Sequence, residues 1–351
     1  MLDSYPIMIE ILEAWARGNE PSADELKQLA ILELNDRLRS TAFGITTENV
    51  ETLLEKRSQL FCSLLQHHCD LPQVKTGLEL LWKLWLPLAT QLTQHYQSLN
   101  RPIIQGVLGG QGTGKTTLGK ALTAILTFQG YKTLSLSIDD LYKSYADREH
   151  LRQLDPRLIW RGPPGTHDVE LGLRVLEELR QSQTSVTVPR FDKSLHNGLG
   201  DRIEPQLVTG INIVLFEGWF VGCRPVDNSR FDQAPEPIIT ESDRQFARDI
   251  NQTLKDYLPL WECLDRLMVL NPIDYRLSKQ WRQQAEQEMI KSGKSGMTDA
   301  EIEQFVDYFW KSLHPELFIS PLVENPHLAD LVVNINADHS VGQIYRPGDF
   351  I

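Results

Sequence analysis

Positive charge is scarce in this chain: 35 Lys and Arg stand against 47 Asp and Glu over 351 residues, a formal net charge of -12. That balance argues against a nucleic-acid binder, which carries a basic face, although it leaves room for local anion pockets. Cysteine is scarce too. Cys62, Cys69, Cys223 and Cys263 form no C-x-x-C pair, which excludes a disulfide framework and a zinc knuckle and leads us to expect a reducing, cytoplasmic setting. No apolar run is long enough to span a bilayer. The opening "MLDSYPIMIEILEAWARGNE" lacks a basic stretch leading into a long apolar one, so it is not read as a secretory signal. Internal repeats and low-complexity tracts are missing as well. With 41% hydrophobic and 23% charged residues, the composition is that of a soluble globular protein with no nucleic-acid or membrane partner.

What is present is a phosphate loop. Residues Gly109, Gly110, Gln111, Gly112, Thr113, Gly114, Lys115 and Thr116 read G-G-Q-G-T-G-K-T, with Thr117 following. This fits G-x-x-x-x-G-K-[ST], in which backbone N–H groups cradle phosphates, the Lys reaches the β- and γ-phosphates and the hydroxyl sits on Mg²⁺. Glycine allows the backbone to turn its N–H groups inward, and the helix that follows points its positive end at the same spot. The flanks agree. Ile103, Ile104, Val107 and Leu108 suit a buried strand, while Leu118, Leu122, Ile125 and Leu126 recur at helical spacing up to Gly130. The loop therefore predicts a nucleoside triphosphate with Mg²⁺.

Two regions are expected. Residues 1–98 read as helices, with a Thr–Glu capping pattern opening "TTENVETLLEKRSQLFCSLLQHH" and Trp82 and Trp85 as core residues. His67 and His68 are sequence neighbours and face different ways on a helix, which does not suit a metal pair. From residue 99 to 351 strands alternate with helices. Candidate strands are 103–108, 132–138, 186–188, 211–216, 265–270 and 330–335, and their apolar runs suggest a parallel sheet buried on both faces. The expected fold is a doubly wound, mainly parallel α/β domain with an N-terminal helical region, and ligands then sit at the carboxyl ends of the strands.

Those ends carry chemistry. After "TLSLSI" come Asp139, Asp140 and Tyr142. Two carboxylates at an open sheet edge would face the γ-phosphate, one taking a proton from an acceptor hydroxyl and one orienting Mg²⁺ through water. Asp139 is a candidate for both tasks; Asp140 and Tyr142 are candidates for acceptor contact. After "INIVLF" comes Glu217, where a P-loop enzyme needs an acid beside Mg²⁺. Between these strands Arg161, His167, Arg190, Lys193 and Arg202 surround turn residues, a density of hydrogen-bonding groups that suits a small, polar, anionic substrate. A segment at about 274–312 reads as a lid. Its Arg276 or Arg282 would stabilise the transferring group. "NPID" at 271–274 is a poor guanine-reading motif, because Pro272 stands where Asn-Lys-x-Asp needs lysine. The loop after the last strand, "NINADHSV", is a reasonable adenine site.

Together "GGQGTGKTT", "SIDDLY", "RGPPGTHD", "VPRFDKSLHNGLGDR" and "VLFEGWFVG" resemble the P-loop kinases that include phosphoribulokinase, uridine kinase and pantothenate kinase. With "WRQQAE" and "GMTDAEIEQFVDYF" added, the wording is most similar to the D-glycerate 3-kinases of the plant and cyanobacterial type, over roughly 101–345. The resemblance implies ATP-dependent phosphorylation of the 3-hydroxyl of D-glycerate, with Asp139 as base, Glu217 near Mg²⁺, and the substrate carboxylate held by some of Arg161, Lys193 and Arg202. It says nothing of residues 1–98. Phe191 stands where relatives commonly carry Tyr, so a nucleoside-style contact is not implied. No cysteine lies at the P-loop, so neither is the redox switch of phosphoribulokinases. The rival readings are another kinase of the group, for uridine, pantothenate or ribulose 5-phosphate, and a P-loop ATPase switch that binds a partner through residues 1–98.

Overall fold

The computed structural model describes residues 4–67, 69–73, 77–181, 185–291 and 296–349. His68 and residues 292–295 of the expected lid lie outside them. The strands are β1 (Ile103–Gly109), β2 (Thr133–Ser137), β3 (Ser185–Asp192), β4 (Asp201–Thr209), β5 (Ile213–Gly218), β6 (Arg266–Pro272), β7 (Leu331–Ile335) and β8 (Val341–Tyr345). Six of them form one sheet in the order β2-β5-β1-β6-β7-β8. Every pairing in it is parallel except β7 with β8.

Alternation along β1 shows why the sheet is buried on both faces. Ile103 and Val107 join a core with the helix Lys115–Phe128 and the N-terminal helices. Ile104 and Leu108 join the opposite core with the helices Val169–Arg180 and Glu241–Thr253. The N-terminal helices are thus one covering layer of the sheet, in a continuous cluster running from Met8 and Trp15 through Trp82 and Trp85 to Met268 and Val333. Within that layer Glu33 is buried between two guanidiniums, 2.9 Å from Arg39 and 3.1 Å from Arg57. Burial alone would raise the Glu33 carboxyl; the Arg57 and Arg39 charges outweigh it and hold the group below its ordinary value.

Four details differ from the sequence expectation. The segment at 186–188 belongs to β3, which leaves the main sheet and pairs antiparallel with β4 as a separate hairpin. β4 (DRIEPQLVT) is mostly solvent-exposed and interrupted by Pro205, so it has no apolar run to announce it. β8 is short and edge-placed, with Gly342 and Gln343 in its middle. The helix Val50–Gln66 starts after Asn49, whose carboxamide accepts from the Thr46 amide, rather than on the Thr–Glu box. Among the described residues no helix is long and apolar enough to cross a membrane.

Candidate active site

Register sets the site. In the parallel sheet Glu217 of β5 stands level with Ser137 of β2 and Val107 of β1, and Gly109 stands level with Leu270 of β6. The residues just past these points therefore gather on one edge. They line a cavity of about 1040 Å³ whose walls include Lys115, Thr116, Asp139, Lys193, Glu217 and Arg282.

The phosphate loop forms one wall. A Cβ on Gly109 would stand 2.5 Å from the Thr113 hydroxyl, so only glycine fits there. Lys115 opens the helix Lys115–Phe128 and donates to the Gly109 and Gly110 carbonyls at 2.7 and 3.0 Å. Burial pushes its ammonium below the ordinary value, against the pull of Glu217 and Asp139. Thr116 is exposed on the cavity wall, whereas Thr117 is half-buried and does not line it. Thr113 donates to the Gly110 carbonyl, and Gln111 lines the cavity with its carboxamide oxygen buried and unpartnered.

Asp139 faces this wall. The Lys193 ammonium lies 2.6 Å from it. Burial acts to raise the Asp139 carboxyl, but Lys193 and the Tyr142 hydroxyl hold it below the ordinary range. Tyr142 stacks on His167 with ring centroids 4.5 Å apart. His167 is buried behind it, 2.8 Å from the Tyr257 hydroxyl through Nδ1, and its Nε2 has no partner. Burial pushes this imidazole down to about 3, so it is neutral at physiological pH.

Several candidates are committed to structural contacts and do not line the cavity. Asp140 accepts from the Ser137 amide and pairs with Arg190 at 3.0 Å. Arg202 donates to the Tyr142 carbonyl and to Asp168, which itself caps the helix Val169–Arg180. His167 stays behind Tyr142. By contrast Arg161 does reach the cavity and donates to the Gly198 carbonyl.

Sequence reading overlooked Arg148. It lines the cavity from the helix Tyr145–Leu154, donating to the Leu199 and Gly200 carbonyls at 2.9 and 2.5 Å. Arg148 and Arg161 both stand over the Phe191 ring, at 5.1 and 5.8 Å. Phe191 thus serves as an aromatic floor for two guanidiniums. Burial and the Arg161 charge pull Arg148 below its ordinary value. The available signal was its position six residues past the Asp-Asp-Leu-Tyr string, in the first turn of the helix that follows.

On the far wall are the helices Leu277–Lys291 and Asp299–Ser312. Arg276 is exposed, paired with Asp274 and placed over Tyr275. Arg282 pairs with Glu286 and lies over Phe305 at 5.2 Å. Both line the cavity. The loop expected to hold adenine does not line it; it meets the phosphate loop through His339, 3.0 Å from the Gly112 carbonyl. Among the described residues no three His, Cys, Asp or Glu side chains cluster as a metal site. A Mg²⁺ ion held largely by phosphates and water needs only one or two carboxylates, and the cavity wall offers the Glu217 carboxylate and the Thr116 hydroxyl.

No family model matches the chain. It is 31% identical over 231 residues to the chloroplastic D-glycerate 3-kinase of Arabidopsis thaliana, a match covering 62% of this chain and 49% of that protein. The chain thus spans about half the length of that relative. It is 30% identical over 250 residues to an uncharacterized kinase of Schizosaccharomyces pombe, covering 67% of this chain and 89% of the relative. Among solved structures, the D-glycerate 3-kinase of Cryptococcus neoformans var. grubii superposes with a TM-score of 0.65 at 29% identity, over 73% of this chain and 95% of that one. With the P-loop, the sheet order and the edge carboxylates in place, the chain belongs to the P-loop kinases of the D-glycerate 3-kinase family.

Proposed function

We propose that the chain transfers the γ-phosphoryl group of ATP to the 3-hydroxyl of D-glycerate, giving 3-phosphoglycerate and ADP. The observation that carries this reading is a single cavity combining Lys115 and Thr116 with Asp139 and three cationic side chains, Arg148, Arg161 and Lys193. An acceptor with one carboxylate and a short polyol body matches that set in charge and size.

Asp139 accepts the proton of the 3-hydroxyl as that oxygen attacks the γ-phosphorus. The new P–O bond forms while the bond to the β-bridging oxygen breaks, and ADP leaves with that electron pair. Lys115 moves its ammonium from the Gly109 and Gly110 carbonyls to the phosphate oxygens. Thr116 and Glu217 would hold Mg²⁺, with Asp139 near it; the ion supplies charge neutralisation on the phosphates. Arg148, Arg161 and Lys193 take the carboxylate, in place of the Arg202 of the sequence reading, which is tied to Asp168. Arg282 or Arg276 covers the transferring group. Four free cysteines support a reducing, cytoplasmic setting.

The test is MgATP with D-glycerate, uridine, pantothenate and ribulose 5-phosphate, with the product position read by phosphorus NMR. Acceptor-dependent ADP release with D-glycerate alone, and phosphate on the 3-oxygen, is the expected result. ATP hydrolysis indifferent to all four overturns the reading in favour of an ATPase switch. Arg148→Met should raise the KM for D-glycerate about tenfold or more, the loss of a hydrogen bond between charged groups, and leave the KM for ATP unmoved. Equal changes in both constants would take Arg148 out of the carboxylate site.

A further inference from the structure

We propose that His339 is a positioning residue for the phosphate loop, fixing the Gly112–Thr113 peptide for phosphate binding and tying it to the helix that carries Arg282. The inference rests on the phosphate loop binding ATP, not on which acceptor is used.

His339 belongs to the loop joining β7 to β8. That loop is closed on itself: the Asn336 amide donates to the Ser340 carbonyl at 2.9 Å and the His339 amide to the Asn336 carbonyl at 3.0 Å. Within it His339 has φ 64, a left-handed conformation sparsely used by residues other than glycine. Such local strain persists only where surrounding contacts over-determine it, and it gathers at functional places. Here it aims an exposed imidazole across to another element. Nδ1 is 3.0 Å from the Gly112 carbonyl, so it must be the protonated nitrogen of that pair. Nε2 is 3.3 Å from the Gln284 carboxamide. Turned to present its NH₂, that amide satisfies Nε2.

The consequence follows from peptide geometry. In a trans peptide the C=O and the next N–H point in opposite directions. Holding the Gly112 carbonyl toward His339 therefore directs the Thr113 N–H away from His339. Phosphate loops work by presenting such N–H groups, and a flipped peptide would present a carbonyl dipole to the phosphates instead. Gly112, with φ +78 and no Cβ, has little intrinsic resistance to that flip.

Trp281 closes the clasp. Its ring stacks on His339 at 4.7 Å, its Nε1–H donates to the Ala337 carbonyl at 3.1 Å, and a Cβ on Gly112 would stand 2.6 Å from its own Cβ. Arg282 is the next residue. The helix Leu277–Lys291 is thereby fixed to the phosphate loop at the turn that supplies the cavity arginine.

The experiment titrates ATP into the full chain by calorimetry, without acceptor, for wild type, His339→Ala and His339→Asn. Asn keeps an N–H donor near the Nδ1 position and tolerates positive φ. Expected are an affinity for ATP about tenfold weaker in His339→Ala, the size of one lost hydrogen bond, and recovery to within about twofold in His339→Asn. The KM for D-glycerate should not move in either. Unchanged ATP affinity in His339→Ala, or equal losses in both variants, would overturn the proposal. Because the titration needs no acceptor, a failed D-glycerate assignment leaves its outcome readable.

Discussion

Asp139→Asn is expected to keep ATP affinity and lose about a thousandfold in turnover, the range of a positioned general base. The change removes the charge and the basic oxygen but little volume. The amide oxygen can still accept from Lys193, which now lies 2.6 Å from the carboxylate, so the cavity keeps its shape. Two groups compete with the proton for Asp139: Lys193 and the Tyr142 hydroxyl. Both oppose its acting as a base until an acceptor binds. Lys193 is the side chain free to leave, being 62% exposed at the tip of the β3–β4 hairpin. An acceptor carboxylate arriving beside Arg148 and Arg161 would draw that ammonium off and restore the basicity of Asp139. The check is kcat for D-glycerate phosphorylation beside calorimetric ATP affinity. Turnover within threefold of wild type, on the order of 0.6 kcal/mol in barrier, would remove Asp139 as base and direct attention to Glu217.

The parts of this site that were legible in the sequence are those fixed by local chemistry. The glycines of 109–114 are required by backbone approach, and β1 and β5 are buried runs whose ends must carry the edge residues. Asp139 and Glu217 are found because a parallel sheet converts "just after a strand" into "at the ligand edge". What stayed hidden depends on pairing across the chain. Asp140 and Asp139 are adjacent and chemically alike, yet Asp140 turns to the Ser137 amide and Arg190, 50 residues away. Arg202 and Arg148 look equally basic in sequence. One is held by Asp168 and the Tyr142 carbonyl, while the other lines the cavity. β4 was hidden because its partner is another strand of the same hairpin rather than the core. Its residues had no apolar period to betray them.

Lys115→Ala is expected to weaken ATP use and slow transfer together, lowering kcat/KM for ATP by a hundredfold or more, about the cost of deleting one preorganised charge-stabilising group. The effect has two sources. The ammonium neutralises phosphate charge that grows toward the transition state, which moves kcat. It also offsets the charges of Glu217 and Asp139, the two acids that pull its pKa upward against burial. Without it a polyanionic nucleotide meets two carboxylates with less compensation, which moves KM. Lys115→Arg should not rescue, because the planar guanidinium is larger than the ammonium that fits between the Gly109 and Gly110 carbonyls at 2.7 and 3.0 Å. Steady-state kinetics in ATP with D-glycerate saturating, beside thermal melts of each variant, make the measurement. Unaltered kcat/KM in a folded Lys115→Ala variant would mean that the phosphate is held elsewhere, and the assignment of Thr116, Glu217 and Asp139 around it would fall with the loop.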